Sequence, residues 1–122
     1  MKLTDASKDK LRQSFEYWGI DEDFSDPIYN YLVHGLSPGS CFTAVLANDF
    51  VGAMSSSHPA NTVTAFKNLA NWMLNELPPE AWGSYSEVKG WLNLTAEERK
   101  KILSTNGMIY TEREEVEIIL KG

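Results

Sequence analysis

Residues 43–54 read TAVLANDFVGAM. With Phe42 in front, the apolar residues Phe42, Val45, Leu46, Phe50 and Ala53 recur at helical spacing, as on the stripe of a helix packed in a core. Ser40 can cap such a helix and the SSSHPAN run at 55–61 breaks it, so the spacing predicts a buried central helix over about 40–55. Asn48 and Asp49 fall in its middle, Asp49 on the stripe itself. A carboxylate among apolar side chains is costly unless donors reach it. In one reading, Asp49 accepts hydrogen bonds from the amides of a Trp82-Gly83-Ser84 turn or from the Trp82 indole, and Asn48 does the same one face over. In the other, Asp49 is a ligand contact or general base in a pocket lined by Trp82 and Tyr31.

The remaining elements follow from local signals. Thr4 and Asp5 can each cap a first helix, with Leu11, Phe15 and Trp18 on one face and Gly19 as its stop. IDEDFSD at 20–26 reads as an acidic loop. Asp26, Pro27 and Gly35 then frame a short second helix that turns Ile28, Tyr31 and Leu32 inward. After the central helix, the stretch from Thr62 to Glu76 places Val63, Phe66, Ala70, Met73 and Leu77 on one face. Lys67, Asn68, Asn71 and Asn75 form a polar stripe beside it. A short helix starts near Ser86, and Thr95 with Glu98 forms a capping box for TAEERKKIL. The tail offers a second box, Thr111 with Glu114, and a helix with Val116, Ile119 and Leu120 on one face. The alternation of Val116, Ile118 and Leu120 also suits a strand, so a short strand pair near the C-terminus is the alternative. The fold class is all-α: a compact bundle of five to seven short helices around the central one, in a single domain over 1–122.

Composition narrows the function. A chain of 122 residues that is 43% hydrophobic and 11% aromatic has the material for one modest core. A net charge of −6 disfavours duplex nucleic acid as a partner, because phosphate-backbone binding needs clustered Lys and Arg. One cysteine, Cys41, forms no intrachain disulfide, which fits a reducing, cytoplasmic setting. No apolar run has membrane-spanning length and no secretion signal opens the chain. The scattered His34, Cys41, His58 and Asp49 make no metal-ligand spacing, and no cofactor motif is present.

The runs YLVHGLSPGSCFTAVLANDFVGAM, NWMLNELPPEAWGS and EVKGWL resemble a family of small phage-encoded proteins. The matching positions are His34, Gly35, Pro38, Gly39, Phe42, Ala44, Val45, Leu46, Asn48, Asp49, Asn75, Pro78, Trp82, Gly83 and Ser84. The resemblance covers residues 31–92, about half the chain, and leaves 1–25 and 95–122 as peripheral additions. It implies a phage accessory protein acting in the bacterial cytoplasm, and it implies no reaction.

The candidate binding residues are Asn48, Asp49, Trp82, Ser84, His34, Lys67, Asn71 and Trp72. Trp72 stands off the apolar stripe of its helix and Trp82 in a turn, so both are placed to meet a partner. His34 is either a C-terminal helix cap or a general acid-base residue. Cys41, in the first turn of a helix, is either a thiol with a lowered pKa or a small buried residue. The expected function is a non-enzymatic protein that binds and blocks a bacterial host or defence component. One alternative is sequestration of a small nucleotide signal, with Trp or Tyr stacking the base and Lys67, Lys89 or Arg99 meeting phosphate. Others are an enzyme using Asp49 and His34, or a virion assembly protein. A helical surface with several Trp also suits a homo-oligomer.

Overall fold

The computed structural model describes residues 1–58 and 61–121. Its helices are α1 (Asp5–Trp18), α2 (Glu22–His34), α3 (Ser40–Leu46), α4 (Phe50–Ser56), α5 (Val63–Glu76), α6 (Tyr85–Asn93), α7 (Ala96–Thr105) and α8 (Glu112–Lys121), with a 3-10 turn at Pro79–Ala81. Among the described residues there is no strand, so the tail is the helix α8 and not one arm of a strand pair. Of the SSSHPAN run, Pro59 and Ala60 lie outside the described residues.

Most helix starts are where short polar side chains place them. Thr4, Thr62, Ser84, Thr95 and Thr111 each accept a backbone N–H three residues on. Glu98 and Glu114 return bonds of 3.0 Å to the N–H of Thr95 and Thr111, completing both capping boxes. These N–H donors hold both carboxyls below the usual Glu range.

Two expectations fail for local reasons. The IDEDFSD stretch is the first turn of α2 and not a loop: Asp21 caps it, accepting from Asp23 N–H at 2.9 Å, and Glu22 and Asp23 suit the positive end of the helix dipole. Phe24 anchors that turn in the core, and Pro27 consequently lies inside the helix. The single central helix over 40–55 does not exist. The chain leaves α3 at Asn48, whose φ of +61° is left-handed. Asn48 N–H bonds the Val45 carbonyl at 3.1 Å and Asp49 N–H bonds the Ala44 carbonyl at 2.8 Å, the paired closure of a Schellman motif. Asn tolerates this conformation better than other side-chain-bearing residues. Asp49 then caps α4, its Oδ1 accepting from Gly52 N–H at 2.9 Å.

The core is one cluster running from Leu3 to Ile109. Leu11, Phe15, Leu103 and Ile109 belong to it, so the end segments expected to be peripheral contribute to the same interior. Its large aromatics bury their rings and bond their polar atoms. Tyr31 O–H donates to the Ala81 carbonyl at 2.7 Å, Trp91 N–H to the Tyr31 carbonyl at 3.0 Å, and Trp72 N–H to Ser14 Oγ at 3.1 Å. Burial also pushes the Tyr31 hydroxyl well above the ordinary tyrosine pKa. Arg99 is buried too. Its guanidinium donates to the carbonyls of Val33 and Leu94, which end α2 and follow α6, and thereby joins α2, α6 and α7. It is therefore not placed to meet a ligand phosphate.

An apolar groove between α4 and α5

α5 carries two apolar faces, and the marked stripe divides between them: Met73 and Leu77 are buried as expected, whereas Val63 and Ala70 are exposed. Ala65, Leu69, Trp72 and Met73 point inward. Trp72 is fully buried, its ring edge-on to Phe15 at 5.4 Å, so its expected role as a partner-facing residue is corrected. On the second face Val63 and Ala70 are exposed, and Phe66 is half-buried, its ring centred 5.7 Å from that of the core residue Phe24. The break at Asn48 likewise divides the other marked stripe. Ala53 stays buried, but Phe50 is 75% exposed.

These two stripes face one another. Val45, Phe50, Ala53 and Met54 on one side and Val63, Phe66 and Ala70 on the other line a groove of about 490 Å³. Asn48 and Asp49 edge it from the α3–α4 side and Lys67 from α5. Of the sequence-marked residues, the groove thus brings together Asn48, Asp49 and Lys67.

Asp49 is held from two directions. Beyond its cap bond to Gly52, its Oδ2 accepts from Tyr85 O–H at 2.6 Å. The Tyr85 hydroxyl, followed by the Gly52 N–H, lowers the Asp49 carboxyl below the usual Asp value, and the same bond raises Tyr85. A Cβ on Gly52 would collide with the Asp49 carboxylate, so a side chain there would displace the cap. The expected bonds from the Trp82-Gly83-Ser84 turn to Asp49 are not made, because Gly52 and Tyr85 take both carboxylate oxygens; the turn is tied to α3 through its backbone instead, Gly83 N–H donating to the Leu46 carbonyl at 2.7 Å. Ser84 spends its hydroxyl capping α6, and Trp82 is half-buried against the core.

His34 ends α2 as an exposed residue with its ring 5.7 Å from that of Tyr29. Asn71 is exposed, and its carbonyl accepts from Asn75 Nδ2 at 2.8 Å. Cys41 donates to the Ala53 carbonyl, and burial raises its thiol pKa, the reverse of the activated thiolate its helix position permitted. Tyr85 and the open face of α5 are the parts sequence reading missed. Tyr85 follows the Ser84 cap and has no motif of its own. Among the described residues no group of three or more His, Cys, Asp or Glu is gathered as for a metal, and no helix is long and apolar enough to cross a membrane. No protein-family model, curated protein or solved structure matches the chain.

Proposed function

We propose that this is a non-enzymatic binding protein whose α4–α5 groove receives an apolar helix of a bacterial host or defence protein and blocks it. The observation that carries the reading is the pair of apolar stripes left facing each other. Burying such surface is worth about 25 cal/mol per Å² on association, before the cost of ordering the partners. Helix-in-groove recognition uses this architecture: an apolar trough with a few polar groups on its edges. The setting of a phage accessory protein in the bacterial cytoplasm comes from the resemblance of residues 31–92.

The chemistry at the rim favours this over the alternatives. Asp49 is engaged by Tyr85 and Gly52 and its pKa is lowered, both of which make it a poor general base. Among the described residues lining the groove, Lys67 is the one cation, whereas a sequestered nucleotide needs several donors for its phosphates.

A photo-crosslinking residue in place of Phe50, expressed in bacteria, tests the reading. Crosslinking to one host protein, lost when Val63→Glu is added, is the expected result. A cyclic nucleotide that raises the melting temperature, with no protein crosslinked, would refute it.

A further inference from the structure

Asn106-Gly107 closes α7 and leads into the tail. Of the asparagines in the chain, Asn106 alone precedes a glycine. That order has a chemistry of its own. The backbone nitrogen after an asparagine can attack the side-chain amide carbon, and glycine hinders the approach least because it has no Cβ.

The closure is a Schellman motif. Gly107 is left-handed, with φ +77°, and its N–H donates to the Ser104 carbonyl at 3.1 Å while Met108 N–H donates to the Leu103 carbonyl at 3.0 Å. Asn106 Nδ2 donates to the Ile102 carbonyl at 2.8 Å. The nucleophile and the amide it would attack are thus adjacent, and each is occupied by a carbonyl of the last turn. These bonds lie at the surface. Asn106 and Gly107 are both exposed, and a Cβ at Gly107 would meet nothing within 4 Å. Gly107 also walls a cleft of about 470 Å³ with Lys10 and Glu76, so water reaches it. Fraying of one helical turn frees both groups together.

We propose that Asn106-Gly107 is a self-modification site, and that its deamidation loosens the hold of α8 on the body. The Gly107 nitrogen forms a bond to Asn106 Cγ and gives up its proton. The bond from Cγ to Nδ2 breaks, and the amide nitrogen leaves with that proton as ammonia. Water then opens the cyclic imide at either carbonyl, leaving Asp or β-linked Asp at position 106. This site is independent of the α4–α5 groove.

Both products disturb the junction. Each removes the Nδ2 donor from the Ile102 carbonyl and sets a carboxylate at the negative end of the α7 dipole. The β-linked product also lengthens the main chain by one methylene just ahead of Met108 and Ile109, which are buried. Those two residues anchor the entry to α8, and α8 itself contains no buried residue. Its hold on the body is polar: Ser7 Oγ donates to Glu115 Oε1 at 2.7 Å and accepts from Tyr110 N–H at 3.1 Å, and Lys100 lies 3.5 Å from Glu112. Ser7 is fully buried, so Tyr110 meets it only while Met108 and Ile109 keep their places.

Ageing the full chain at neutral and mildly alkaline pH, folded and in guanidinium chloride, tests the site. Mass spectrometry of the peptide carrying residue 106 is expected to show Asp and β-linked Asp there before any other asparagine converts. Conversion should be faster in alkali, which deprotonates the nucleophile, and slower in the folded chain than in the unfolded one. Asn106→Gln, whose imide would need a larger ring, should age unconverted. Hydrogen exchange reads the consequence: the aged parent should lose amide protection across α8 and keep it in α5, and the aged Asn106→Gln variant should keep both. Asn106→Asp, the α-linked product made directly, should show part of the same loss. A folded chain that retains its Asn106 amide while the unfolded chain loses it overturns the site. Conversion that leaves α8 as protected as before overturns the loosening.

Discussion

Asn48 and Asp49 carry the turn between α3 and α4 by different means, one through its backbone and one through its carboxylate. Asn48→Gly is expected to be tolerated, because glycine adopts the +61° φ freely, whereas Asn48→Val places a β-branched residue there at a cost of roughly 1–2 kcal/mol. Urea titration of both variants checks the difference. Asp49 makes stability depend on pH with a definite sign. A carboxyl whose folded pKa lies below its unfolded value, about 3.9 for Asp, stabilises the fold above that unfolded value. The contribution is lost as pH falls through the lower, folded pKa. Asp49→Asn should therefore melt lower than the parent near neutral pH, and the two curves should converge in acid. Tyr85→Phe removes the first cause of the shift and should move the acid transition of the carboxyl upward, readable by NMR titration.

Between elements, the buried Arg99 fastens three helices through backbone carbonyls. Arg99→Met removes the donors and strands the buried Val33 carbonyl, at about 1–3 kcal/mol for an orphaned buried group, with a smaller loss at the half-buried Leu94. Chemical denaturation should show that loss. Gly35 enforces the same junction. Its φ is +64° and a Cβ there would come within 2.6 Å of Arg99 Nη1, so Gly35→Ala is expected to destabilise through both strain and contact. Gly90 is the opposite case. It lies inside α6, exposed, and a Cβ would meet nothing within 4 Å. Gly90→Ala should raise the unfolding free energy by about 0.5–1 kcal/mol through helix propensity.

At the scale of the whole molecule, the apolar material exceeds what one core encloses, and the surplus is concentrated in the groove and on α8. Val63 is 77% exposed and is the first residue of α5, where a negative charge suits the helix dipole. Val63→Glu should accordingly change the unfolding free energy by no more than about 0.5 kcal/mol while lowering the fluorescence of a bound hydrophobic dye. An equal dye signal in parent and variant would show that the groove does not hold apolar ligands.

The all-α class and the boundaries of most helices were legible because their causes are local. Thr95 and Glu98, or Thr111 and Glu114, meet within one turn of chain, and Gly19 and Gly35 stop α1 and α2 wherever those helices are packed. The Asn-Asp pair was local as well, a left-handed residue followed by a cap, but the apolar spacing across it concealed the break. Which face of α5 goes inside had no local cause. Its Leu69–Trp72 and Val63–Phe66 sides are both apolar, and the periodicity that runs from Val63 through Met73 to Leu77 ranks the wrong one of them first. The choice was made by α1, which supplies Phe15 for the Trp72 ring and Ser14 for its N–H, a pocket that the smaller Val63 and Ala70 would not fill. Once Trp72 entered the core, the other side of α5 was left to face α4, and the groove is the consequence.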